Sequence, residues 1–106
     1  MKQFLIRYQF KNGSREEWHE EIARFIAALE TDPELAGRIT YRCMKFRDDD
    51  ASYVHLATAA DDDAVKALGA QPFFKHYTEQ LDRVSGDTVE VLPLELIAET
   101  KSVVAR

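Results

Sequence analysis

Residues 4–18 read Phe4-Leu5-Ile6-Arg7-Tyr8-Gln9-Phe10-Lys11-Asn12-Gly13-Ser14-Arg15-Glu16-Glu17-Trp18, and two periods meet inside this stretch. Phe4, Ile6, Tyr8 and Phe10 fall on alternate positions with Arg7 and Gln9 between them, the period-2 pattern of a strand buried on one face. Leu5 departs from the alternation and predicts partial cover on the second face. Asn12-Gly13 turns the chain. Ser14 with Glu17 three residues on forms a capping box, because each side chain can satisfy a free backbone N–H of the other. From there the apolar positions Trp18, Ile22, Phe25, Ile26 and Leu29 make one stripe of a 3.6-residue helix.

Reading outward, Thr31-Asp32-Pro33 closes that helix and Gly37 precedes an extended run, Arg38 to Arg47. Asp48-Asp49-Asp50 makes a polar turn, and Ser52 to Ala59 returns as a third strand with Tyr53, His55, Ala57 and Ala59 on one face. Asp61, Asp62 and Asp63 are placed to cap a short helix that Gly69 ends, since acids favour the positive end of a helix. Pro72 suits a first helical turn, so Ala70-Gln71-Pro72-Phe73-Phe74-Lys75-His76-Tyr77 opens a further helix with Phe73, Phe74, Tyr77, Leu81 and Val84 on one side. A fourth strand follows from Thr88 to Leu92, then Pro93 and a strand-like tail, Leu94 to Glu99. This order, βαββαβ with a trailing strand, predicts one α+β, ferredoxin-like domain over residues 1–106.

Composition narrows the function. The 106 residues carry 19 acids against 14 bases, a formal net charge of -5, and no basic stripe able to neutralise phosphates, so nucleic acid and anionic membranes are excluded as expected partners. A single cysteine, Cys43, and an N-terminus that alternates instead of running apolar fit a cytoplasmic protein. The Asp triplets lack the spacing of an oxygen cage, and three scattered histidines offer no zinc pattern, so no metal site is expected. Nucleotide and flavin fingerprints, a P-loop and a G-x-S-x-G elbow are all missing from the sequence.

Four segments together resemble one family: FLIRYQFKNGSREEWHEEI, ELAGRITYRCMKF, SYVHLATAADDDAVKAL and QPFFKHYTEQL. They are similar to the dimeric α/β barrel proteins of the antibiotic biosynthesis monooxygenase type. The resemblance implies a homodimer whose sheets pack into a shared barrel, with a pocket in each subunit between sheet and helices. It also implies a cofactor-independent monooxygenase acting on a small quinol or polyphenol, in which a substrate carbanion meets dioxygen directly. The alternative is a non-catalytic dimer that binds a small apolar ligand or serves a stress response. Two departures stand out: the Trp that often ends the third strand in such proteins is Ala59 here, and the residues that haem-degrading relatives use correspond to Ile6 or Arg7 and to Thr78. Haem is therefore not expected to bind, and no cofactor is.

Within that frame His55 or His76 is the candidate base, because an imidazole titrates near working pH; a hydrogen-bonded core histidine is the other reading of His55. Tyr8 and Tyr77 are candidates to hold substrate oxygens, with Phe73, Phe74 and Trp18 as apolar walls. An aromatic stripe at helical spacing is also the ordinary mark of a core. The tail from Leu94 to Glu99 is expected to pair with the partner subunit.

Overall fold

A computed structural model of the chain describes residues 1–101. Strand β1 spans Lys2–Gln9, helix α1 Arg15–Thr31, β2 Ile39–Lys45, β3 Ser52–Ala59, α2 Asp62–Gly69, α3 Pro72–Ser85 and β4 Glu90–Leu94. The four strands form one antiparallel sheet in the order β2-β3-β1-β4. That is the ferredoxin-like split arrangement the sequence predicts.

Local chemistry sets the boundaries. Ser14 caps α1 by accepting from the Glu17 backbone N–H, and Asp61 caps α2 by accepting from that of Ala64 at 2.8 Å. Pro72 occupies the first turn of α3, and Gly86 ends that helix at φ +59, a left-handed conformation that costs glycine nothing sterically.

One face of the sheet carries the helices. Register places Phe4, Ile6 and Tyr8 of β1 beside Ala57, His55 and Tyr53 of β3, and Tyr41 and Cys43 of β2 beside Ala57 and His55. Trp18, Ile22, Phe25 and Leu29 of α1 and Tyr77, Leu81 and Val84 of α3 are buried against this face. The other face presents Leu5, Val54, Leu56, Leu92, Leu94 and Met44, with Leu94 and Met44 more than 40% exposed. Across it Arg7 pairs with Glu90 at 3.2 Å.

The C-terminal segment differs from the expectation. Pro93 lies inside β4, opposite Phe4, and does not separate two strands. Proline is accommodated because β4 is an edge strand bonded to β1 alone, where the missing N–H interrupts no second ladder. Beyond Leu94 the described residues form no further strand; Leu94 pairs with Gln3, one residue from the start of β1.

Candidate functional site

Strand alternation turns Tyr8, Tyr41 and His55 toward the helices, and α1 and α3 bring Trp18 and Tyr77 down onto them. The result is a continuous hydrogen-bonded chain through the core. The Trp18 indole N–H donates to the Tyr8 hydroxyl oxygen at 2.8 Å, and that hydroxyl meets His55 Nε2 at 2.8 Å. On the opposite side of the imidazole, Nδ1 meets the Tyr41 hydroxyl at 2.7 Å, and the Tyr41 and Tyr77 hydroxyls are 3.0 Å apart. The rings are held by packing: Tyr77 lies flat between Phe25, centroid distance 3.9 Å, and Trp18, 5.5 Å. Tyr8 stacks on Tyr53 at 5.2 Å.

His55 is wholly buried, and desolvation lowers its pKa to about 4, so the imidazole is neutral at neutral pH. Burial likewise raises the pKa values of Tyr8, Tyr41 and Tyr77 and pushes the Cys43 thiol up to about 12. The cluster thus contains no charge at neutral pH, and every hydroxyl enters it as O–H. It is a network of dipoles, whose strength comes from the low dielectric around it.

Beside this chain lies a cavity of about 370 Å³ between the sheet and helices α2 and α3. Its floor is Phe4, Ile6, Ile39, Ala57 and Ala59; Leu68, Gly69, Phe74 and Leu81 roof it, and the aromatic rings of Phe25, Tyr41 and Tyr77 close one side. Small residues help make the space: Ala57 and Ala59 on the sheet and Gly69 at the end of α2 all line it. Thr78 and Asp82 supply polar atoms. The walls are otherwise apolar, as in small-molecule sites, where a few polar groups fix orientation.

The sequence-predicted residues fall into three places. Tyr77 and Phe74 line the cavity, while Tyr8, His55 and Trp18 stand behind it. Trp18 is therefore a hydrogen-bond donor in the network and not an apolar wall of the pocket. Phe73 and His76 lie on the other side of α3, in a shallow groove against α1, where His76 Nε2 is 2.7 Å from Oε1 of the half-buried Glu21, whose carboxylate Arg24 also contacts. That separation follows from the helix: His76 and Tyr77 are about 100° apart around the axis, so only one can face the sheet. His19 is exposed and bonds the Tyr53 hydroxyl at 2.7 Å. Tyr41 is the residue sequence reading missed. Its signal lay in the hairpin register, which sets Cys43 opposite His55 and Tyr41 opposite Ala57.

The ferredoxin-like sheet with an apolar cavity under its helices is similar in fold to solved proteins of the antibiotic biosynthesis monooxygenase type. No protein-family model matches the sequence, and neither does any curated protein. Solved structures do. The chain is similar to SnoaB, a cofactor-independent oxygenase from Streptomyces nogalater, with 25% identity and a TM-score of 0.76 over 95% of this chain and 97% of that one; a mutant of the same protein gives 27% and 0.78. An antibiotic biosynthesis monooxygenase with 11% identity, TM-score 0.75, is matched over 92% of this chain and all of that one. Rv0793 from Mycobacterium tuberculosis shares 14% identity, TM-score 0.75, over 94% and 98%. At such identities the last two likenesses are likenesses of fold.

Proposed function

We propose that this protein is a cofactor-independent monooxygenase that binds a flat quinol or polyphenol in the cavity beneath α2 and α3. The observation that carries the reading is the cavity itself, about 370 Å³ with apolar walls and the Tyr41 and Tyr77 side chains at one side, in a chain similar along most of its length to a cofactor-independent oxygenase. A ring slots between Ala57 and Ala59 below and Phe74 and Leu81 above. Loss of a phenolic proton to water at the open side puts carbanion character on the ring. Dioxygen, being apolar, partitions into the same space. A C–O bond forms at the ring carbon, the O–O bond of the resulting hydroperoxide breaks, and the second oxygen atom leaves as water with two hydrogens of the quinol, giving a hydroxyquinone. Neither His55 nor His76 lines this cavity, so the chain contributes shape, water exclusion and hydroxyl dipoles to the reaction.

The same reading includes a homodimer. The outer sheet face carries half-buried Leu5, Val54, Leu56 and Leu92 and exposed Leu94, and contiguous apolar surface of this kind supports a self-complementary interface. No helix among the described residues is long and apolar enough to cross a membrane, and the acidic, single-cysteine chain suits the cytoplasm.

Oxygen uptake with a panel of naphthoquinols and anthraquinols tests the reading. Uptake is expected to be accelerated by wild type and abolished by Ala59→Leu, which fills the cavity. Uptake no faster than the uncatalysed rate with every member of the panel, or an Ala59→Leu variant as active as wild type, would remove it.

A further inference from the structure

The hydrogens of the buried chain can be counted, and the count sets its direction. An indole N–H can only donate, so the Tyr8 oxygen accepts from Trp18. Among the described residues the one acceptor left for the Tyr8 hydrogen is His55 Nε2 at 2.8 Å. Nε2 therefore carries the lone pair of the neutral ring, and the ring hydrogen sits on Nδ1. From there it is donated to the Tyr41 oxygen at 2.7 Å, the Tyr77 oxygen being more distant at 3.4 Å. Two hydroxyl hydrogens remain, one on Tyr41 and one on Tyr77, and the 3.0 Å contact between these oxygens uses one of them. The second has only the nearby Cys43 sulfur, a weak acceptor.

We propose that this surplus hydrogen is offered to the cavity, and that the ligand bound there presents an accepting oxygen, a carbonyl or phenolate, to the Tyr41–Tyr77 pair. This rests on the cavity being the substrate site. Both tyrosines line it, so a ligand there can supply an acceptor stronger than the Cys43 sulfur. A buried hydroxyl hydrogen without a good acceptor is unfavourable, and a ligand oxygen removes that cost, whereas a ligand with only donors leaves it in place. The preference is for the anionic side of a quinol–phenolate pair, whose developing charge fixed donors stabilise without reorganising. His55 is then a positioning residue: with Nε2 engaged by Tyr8, it holds Nδ1–H against Tyr41 and orients the pair.

Three bicyclic probes of nearly equal shape test the direction: 1-tetralone, which only accepts; tetralin, which does neither; and 1-aminotetralin, which as an ammonium only donates. By titration calorimetry wild type is expected to bind 1-tetralone roughly 3- to 10-fold more tightly than tetralin, and to reject 1-aminotetralin. Either single variant, Tyr41→Phe or Tyr77→Phe, still leaves one hydroxyl that accepts from His55 and has its hydrogen free, so the preference survives in each; it disappears in the double variant. The infrared carbonyl stretch of bound 1-tetralone, read on wild type alone, is expected below its value in hexane. Equal binding of tetralone and tetralin, a preference kept by the double variant, or an unshifted stretch overturns the proposal. Oxygen uptake separates the two ideas. Turnover of quinols without a ketone preference sinks the donor assignment and leaves the oxygenase, while a ketone preference without turnover sinks the oxygenase and leaves the donor.

Discussion

Acidification should unfold this protein early, and His55 is the reason. The imidazole is wholly buried and its pKa falls from 6.5 in the unfolded chain to about 4 in the folded one, the cause being desolvation. Between those values the unfolded chain binds a proton that the folded chain refuses, so stability is complete above about pH 6.5 and falls as the pH is lowered toward 4. At about 1.4 kcal/mol for each unit of pKa, the full loss is about 3 kcal/mol, of which about 2 kcal/mol has gone by pH 5. That is a large share of the roughly 5–15 kcal/mol that holds a domain of ordinary stability. Urea unfolding followed by Trp18 fluorescence, at fixed protein concentration between about pH 7 and pH 5, measures it. The comparison is His55→Gln, which keeps a polar side chain and cannot titrate; it starts less stable but should show a much flatter pH dependence. His19 and His76 are present in both proteins and cancel. Parallel losses in wild type and variant over this interval would show that His55 is not the group responsible.

Leu56→Glu, a charge at the middle of the outer sheet face, should shift light scattering from about twice 12.2 kDa toward the monomer mass, and a wild type that is already monomeric would remove the barrel assembly. Tyr8→Phe takes the partner from both the Trp18 N–H and His55 Nε2, with a cost of roughly 1–3 kcal/mol in urea unfolding; a neutral substitution would mean the chain is not formed as described. Ala59→Leu adds three side-chain carbons where an empty cavity lies, so tetralin binding should fall at least tenfold while stability is held or gains up to about 1 kcal/mol. Loss of stability there would indicate that the space is already filled.

The order of elements was legible in the sequence because its determinants are local. Alternation along Phe4 to Phe10, the Ser14–Glu17 box, the acids before α2 and Pro72 before α3 each act within one or two turns of chain. The faces were legible for the same reason: period-2 alternation is enough to say that Tyr8 and His55 look to the helices. What lay beyond the sequence was which side chains meet between elements. Tyr41 joined His55 only because β2 and β3 pair in the register that sets Cys43 opposite His55. Trp18 became a donor because the angle of α1 on the sheet carried its N–H to Tyr8. His76 fell outside because the rotation of α3 gave the inward position to Tyr77. Pro93 stayed within a strand because β4 had an edge to itself, and the cavity opened where small residues of β3 and α2, Ala57, Ala59 and Gly69, line the space between sheet and helices. Local pattern specifies which side of each element is apolar; only packing, which matches volumes and hydrogen bonds between elements, decides which side chains touch and where space is left over.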